Sequence, residues 1–301
     1  MIKEDIKSLS TEARNKNSYN IDTKSTREIL SIINEEDKKV AYLIEDKLCD
    51  IAKVVDAVVE AFNNGGRLIY VGAGTSGRMG LIDAVECRPT YSVPDDMVMG
   101  IMAGGKEAFV RAKEGAEDSI DDAINDLKNI ELSNKDIVVG IAASGRTPYV
   151  IGAIEYANKI GANTVAIATV KNSKIGMISK LKIEVDTGAE VVSGSTRMKA
   201  GTAQKLICNM ISTASMIRIG KVYNNLMVDV AATNQKLIKR AVGIIQEITD
   251  ASEELCLDKM NKYKSVKKAV ISILLDIDDE DKIENLLKKN NNNLRNVIGD
   301  K

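Results

Sequence analysis

Twice in this chain an apolar run empties into a turn of glycine and hydroxyl residues and then into a stretch that suits a helix. The first is Leu68-Ile69-Tyr70-Val71 followed by Gly72-Ala73-Gly74-Thr75-Ser76-Gly77. The second is Ile137-Val138-Val139-Gly140-Ile141 followed by Ala142-Ala143-Ser144-Gly145-Arg146-Thr147-Pro148. Short runs without polar alternation are strands buried on both faces, and a parallel sheet covered by helices provides that burial. Further strands are predicted at 97–102, 165–168 and 181–185. Helices are predicted at 78–87, stopped by Pro89, in two pieces over 106–130 hinged near Gly115, up to Ile160 with Gly161 as its cap, and near 174–180. Alternating strands and helices give an α/β fold, a doubly wound parallel five-stranded sheet flanked by helices.

The flanking sequence divides into an arm, a main domain and an appendage. Residues 1–24 are polar and weakly periodic and read as a flexible N-terminal arm. Ser25 and Glu28 form the two ends of a capping box. A long helix is predicted over 36–62, with Ile44, Leu48, Ile51, Val55, Val58 and Phe62 spaced by three and four and Asn63-Asn64-Gly65-Gly66 ending it. Residues 186–198 form a long polar loop, and two long helices are predicted over 199–219 and 227–248. The tail from 251 to 301 reads as a small C-terminal helical appendage, with amphipathic stretches at 265–275 and 278–287. The main domain is then 25–250.

Composition removes several chemistries. The 301 residues contain no histidine, so a Ser-His-Asp triad, a Cys-His dyad and a His-ligated metal are excluded. Acid–base work falls to carboxylates, Lys, Tyr or Cys. Cys49, Cys87, Cys208 and Cys256 form no CxxC pair and read as reduced thiols. Lys plus Arg is 42 and Asp plus Glu is 43, so there is no basic excess for nucleic acid or anionic membrane. The start of the chain has no apolar signal region, and no apolar run reaches the roughly 18 residues of a membrane span. A soluble, cytoplasmic protein is expected, with no nucleic acid or membrane partner.

The first turn fits GxGxxG, the dinucleotide fingerprint. Against that reading, the next strand ends in Met102-Ala103-Gly104-Gly105, with no acidic residue for a ribose. The hydroxyls of Thr75 and Ser76 suit a terminal phosphomonoester, while a glycine turn serving only strand–helix packing is the plain alternative. Ser144-Gly145-Arg146-Thr147 repeats the arrangement, and Ser193-Gly194-Ser195-Thr196-Arg197-Met198-Lys199 repeats it before a third helix. Any one could be a simple N-cap, but three hydroxyl-rich turns at helix starts favour a phosphate.

These turns resemble those of sugar isomerase (SIS) domains, which bind phosphosugars. The longer strings GAGTSGR from Gly72, Glu86-Cys87 with Pro89-Thr90-Tyr91, Glu114 to Asp118, GIAASGRTPYV from Gly140, Arg197 to Lys205, Asn225 to Val230 and Ala232-Thr233-Asn234 resemble the N-acetylmuramic acid 6-phosphate etherase family. Arg88 departs from that pattern, where a proline is expected before Pro89. The resemblance implies an SIS-type fold, a homodimer and a lyase that needs no metal or cofactor. Its reaction removes the D-lactyl ether from C3 of N-acetylmuramic acid 6-phosphate by elimination and water addition, in cell-wall amino-sugar recycling. It implies Glu86 as proton donor and Glu117 as the group acting at the C2 proton. The turns imply Thr75, Ser76, Ser144, Gly145, Arg146, Thr147, Ser195, Thr196, Arg197 and Lys199 as substrate-binding residues. The rival readings are a phosphosugar isomerase, which commonly uses a histidine that this chain lacks, and a non-catalytic phosphosugar sensor.

Overall fold

The computed structural model describes residues 10–111, 113–230 and 235–299. The motif residues Ala232, Thr233 and Asn234 lie outside them. Five strands, β1 (Leu68–Gly72), β2 (Val98–Met102), β3 (Ile137–Ala142), β4 (Asn163–Ala168) and β5 (Leu181–Glu184), make one all-parallel sheet in the order β2-β1-β3-β4-β5. β1 and β3 are apolar and buried along their whole length because helices cover both faces. On one face Ile69, Val71 and Val138 pack with Ala123 and Leu127 of α5 (Ile120–Asn129) and Val150, Ile154 and Ala157 of α6 (Pro148–Ile160). On the other, Tyr70 lies beneath α3 (Gly74–Tyr91) and donates its hydroxyl to the Cys208 carbonyl, 3.3 Å away, on α8 (Lys199–Arg218). At Gly80 of α3 a Cβ would stand 2.6 Å from the Cβ of Tyr70, so this helix lies flush on the sheet.

The helix before the sheet is two helices, α1 (Thr26–Glu45) and α2 (Leu48–Asn63), broken at Asp46 and Lys47. The capping box forms: the Ser25 side chain accepts from the Glu28 N–H, and the Glu28 carboxylate accepts from the Ser25 N–H. Pro89 does not stop α3, which runs on to Tyr91. A proline frees the carbonyl four residues back, here Val85, and both residues are solvent-exposed, so that carbonyl is not stranded in the core. Gly115, at φ +75°, separates α4 (Gly105–Val110) from a 3₁₀ turn at Ala116–Asp118. α7 (Lys174–Ile178) follows β4.

The expected arm spans 1–24, and its described part has a defined backbone. Residues 10–23 form three 3₁₀ turns, Ser10–Glu12, Lys16–Ser18 and Ile21–Thr23, fastened to the polar loop after β5. Ser10 donates to Asp186 Oδ1 (2.7 Å), Asn15 to the Ala189 carbonyl (3.1 Å) and Ser18 to the Val191 carbonyl (2.7 Å). Its polar side chains bond to a partner segment distant in sequence, which explains their lack of local periodicity.

The chain forms two compact units, 1–85 with 96–212, and 86–95 with 213–301, a division different from 25–250 and 251–301. In the second unit the expected helix over 227–248 begins later. Val222–Tyr223 (β6) and Leu226–Met227 (β7) form an antiparallel hairpin, and α9 spans Gln235–Thr249. α10 (Glu253–Tyr263), α11 (Val266–Leu275), α12 (Glu280–Lys289) and α13 (Leu294–Ile298) enclose their own core around Met260, Val270, Ile271 and Ile283. Buried Lys267 donates to Asp229 Oδ2 at 2.7 Å and to the Asn292 carbonyl at 2.8 Å, which gives Asp229 of the Asn225–Val230 motif an anchoring role. No helix among the described residues is long and apolar enough to cross a membrane.

At the amino-terminal edge of the sheet, Arg67 and Asp136 join the starts of β1 and β3. Arg67 donates through its backbone N–H and Nε to Asp136 Oδ1 (2.9 and 3.1 Å) and through Nη2 to Oδ2 (2.8 Å). Burial alone would raise the Asp136 pKa, but the Arg67 hydrogen bonds outweigh it and hold the carboxyl below its ordinary value. Removing one partner of such a pair leaves a buried charge unmatched. Asp136→Asn is expected to lower stability by about 3 kcal/mol, measured as a reduced urea midpoint at neutral pH; an unchanged midpoint would contradict this.

Candidate active site

In a parallel sheet of this order the connections from β1 and from β3 leave toward opposite faces, and a crevice opens beyond their carboxyl ends. Both predicted turns stand there. After β1 the chain passes directly into α3, whose first intrahelical bond runs from the Gly77 N–H to the Ala73 carbonyl (3.1 Å). The N–H groups of Gly74, Thr75 and Ser76 precede that bond and are the open donors of a helix start. After β3, Gly145 turns at φ +65° with its N–H on the Ala142 carbonyl, and a Cβ there would sit 2.3 Å from that of Ser173. Thr147 occupies the N-cap of α6, yet its side chain makes no capping bond. Ser144, Arg146 and Thr147 are half-buried on this turn, as Thr75 is on the first, while Ser76 is buried.

Glu117 meets the first turn. A cleft of about 260 Å³ is lined by Gly74 and Arg78 of α3, by Met102 and Ala103 after β2, and by Lys113, Glu114 and Glu117. Ala116 packs against the sheet core and holds the 3₁₀ turn, while the Glu117 carboxylate stays exposed. α6, which the second turn starts, is fixed from beneath: Tyr149 donates to Asp126 Oδ2 of α5 at 2.5 Å. Burial, first, and the neighbouring carboxylate raise the Tyr149 pKa far above its ordinary value, so it remains a neutral donor. Glu86 is exposed on α3 and falls in the other compact unit, with 86–95.

The third hydroxyl-rich segment differs from the expectation. The start of α8 is already occupied by a carboxylate: Glu190, fully buried, accepts from the Lys199 N–H (3.0 Å) and the Ala200 N–H (2.9 Å). The Lys199 ammonium is occupied too, donating to Glu36 Oε2 at 2.7 Å in a pair buried on both sides. Its geometry is that of a structural cation, a correction to its expected place in the substrate set. Ser195 and Thr196 are half-buried and Arg197 exposed on the preceding loop. α8 nonetheless abuts the first turn, since a Cβ on Gly201 would lie 3.2 Å from Thr75 Cγ2.

Sequence reasoning missed Arg78, Lys113 and Glu190. Arg78 closes the string GAGTSGR, so motif membership was a signal for it, whereas Lys113 stands just outside the string that begins at Glu114. Glu190 stands well upstream of α8, outside the spacing of any local capping pattern.

Asp83, three residues before Glu86, is buried and accepts from Asn209 (2.7 Å) and Ser212 (2.9 Å). Burial pushes its pKa up despite those bonds. It ties α3 to α8 and lines no part of the cleft.

Glu36 provides a pH signature. Burial would raise its pKa, but hydrogen bonds from Lys199, Lys39 and Asn17 bring it from the ordinary 4.5 down to about 2. A folded value below the unfolded one gives stability that is complete above about pH 4.5 and is lost as pH falls toward 2. The stability gap between the native chain and Glu36→Gln should therefore narrow by about 1.4 kcal/mol per pH unit in that window. Urea unfolding at stepped acid pH measures it, and a constant gap would contradict the assignment.

Residues 50–158 match the glucokinase regulatory protein N-terminal SIS domain, 120–214 the SIS domain, and 224–286 the C-terminal lid domain of glucokinase regulatory protein. The N-acetylmuramic acid 6-phosphate etherase of Bacillus cereus (strain AH187) is 53% identical over 93% of this chain and 96% of its own length. That of Bacillus cytotoxicus is 53% identical over the same shares. Among solved structures, a phosphoheptose isomerase from Francisella tularensis superposes with a TM-score of 0.48 and 17% identity, covering 64% of this chain and 98% of its own.

Proposed function

The chain belongs to the N-acetylmuramic acid 6-phosphate etherases, and we infer that it removes the D-lactyl ether from N-acetylmuramic acid 6-phosphate, giving N-acetylglucosamine 6-phosphate and D-lactate. The observation that carries the site assignment is the meeting of Glu117 with the open helix start at Gly74 in one cleft. The phosphate is held by the N–H groups and hydroxyls of Thr75 and Ser76, with Ser144, Gly145 and Thr147 across the crevice. Arg146 and Arg197, with Ser195 and Thr196, are the groups assigned to the rest of the substrate, the lactyl carboxylate included. Bidentate guanidinium geometry suits a carboxylate.

The chemistry follows from the sugar. In the open-chain form the C1 aldehyde acidifies the C2 proton. Glu117, as carboxylate, takes that proton, and Glu86, as carboxylic acid, delivers one to the ether oxygen at C3 as the C3–O bond breaks. D-lactate leaves, and water adds to C3 of the unsaturated aldehyde. Two carboxyl groups in opposite protonation states are enough for such a reaction. The reaction belongs to amino-sugar recycling, and we place it in the cytoplasm.

D-lactate release from N-acetylmuramic acid 6-phosphate, against turnover of fructose 6-phosphate, tests the reading. Glu86→Gln is expected to slow lactate release by about 10²–10⁴-fold, the usual worth of a general acid. Exchange of the C2 hydrogen in D₂O should survive Glu86→Gln and vanish in Glu117→Gln. The reverse pattern would exchange the roles, and lactate release unaffected by either substitution would remove both residues from the mechanism.

The working form is a homodimer with sites near the interface. Supporting this, α1 and α2 carry Leu30, Tyr42 and Leu48 exposed by 60, 74 and 49%. Apolar side chains left uncovered along consecutive helices suit a protein partner. Sedimentation should give twice the chain mass at assay concentration, and an active monomer would rule the dimer out.

A further inference from the structure

Arg78 ends the motif that supplies the first phosphate turn, but its guanidinium faces the next connection in the chain. Its Nε donates to the Phe109 carbonyl at 2.9 Å and its Nη2 to the Ala108 carbonyl at 2.7 Å. These are among the last carbonyls of α4, which have no partner within the helix and carry the negative end of its dipole.

α4 has little else to hold it. It is six residues long, its N-cap Gly104 offers no side-chain bond, and Ala108 is its only buried residue. Phe109 and Val110 are exposed by 39 and 81%. A helix this short is not stable through its own hydrogen bonds. Beyond it the chain passes Gly115, at φ +75°, and reaches Glu117, which shares the cleft with Arg78 and Gly74.

We propose that Arg78 is a positioning residue that clasps the Glu117-bearing segment to the phosphate turn, so that the base and the phosphate site keep a fixed spacing. The proposal rests on the reading of Glu117 as the base. Arg suits the task because its planar fork satisfies two adjacent carbonyls at once, whereas a Lys ammonium is a single point donor. The rival role, in which Arg78 is itself a phosphate ligand, predicts a different kinetic pattern.

The experiment compares Arg78→Ala and Arg78→Lys in the full chain by three readouts. These are C2-hydrogen exchange in D₂O, affinity for N-acetylglucosamine 6-phosphate, and backbone amide exchange of residues 105–111. Loss of the clasp in Arg78→Ala should slow C2 exchange by about 10²-fold, the effect of a misplacement near 1 Å, with sugar-phosphate affinity unchanged and amides 105–111 exchanging faster. Arg78→Lys should fall between. Weakened sugar-phosphate affinity with amides 105–111 unchanged would make Arg78 a ligand and overturn the proposal. Unchanged C2 exchange in Arg78→Ala would also overturn it. Glu117→Gln serves as the control: if it retains C2 exchange, the base assignment fails, and the amide readout separately reports whether the clasp exists.

Discussion

Two backbones touch where β1 becomes α3. A Cβ on Gly72 would lie 2.7 Å from the Gly77 nitrogen, and one on Gly77 would lie 2.8 Å from the Gly72 carbonyl oxygen. Only hydrogen fits on either side, so the helix begins directly upon the strand end with no intervening loop. Its unbonded N–H groups are thereby delivered to the edge of the sheet where the strand order reverses. Gly145 against Ser173 does the same for the second turn by a different route, through a positive φ and a close side-chain contact. The anion site proposed here would therefore be a property of backbone packing, to which the hydroxyls of Thr75, Ser76, Ser144 and Thr147 would add donors.

The sheet treats its two edges differently. At the amino-terminal edge charge is consumed internally, with Arg67, Asp136 and Ser133 closing a hydrogen-bonded knot. At the carboxyl edge hydroxyls and helix donors are left open. Rigidity at one end and unsatisfied polarity at the other are complementary, because an open polar edge holds its shape only on a scaffold that does not need it for cohesion.

β1 and β3, and the turns that follow them, were legible in the sequence because a strand buried on two faces has no polar residue to interrupt it. The capping box at Ser25 and the Gly161 cap were legible because their partners are local. What escaped depended on distant partners. The break between α1 and α2 at Asp46 and Lys47 carries neither glycine nor proline. Residues 10–23 look unstructured until the loop at 186–191 supplies their acceptors. Lys199 reads as a ligand beside Arg197, and only the fold brings Glu36 to it across 163 positions. Glu117 was identified through the family's motif, and the tertiary structure adds its closeness to Gly74 and Arg78.

Glu190 has a further consequence. A helix start does not distinguish a phosphate from a carboxylate, and the substrate of this family carries both, at opposite ends of the sugar. Hydroxyl-rich segments precede three helix starts in this chain, those of α3, α6 and α8. By seating its own carboxylate on the Lys199 and Ala200 N–H groups, the protein withdraws one of the three from competition. A helix start capped by a buried carboxylate of the same chain has no N–H groups to offer a ligand, so the hydroxyl-rich string before α8 ends in a closed structural junction although it reads like the other two.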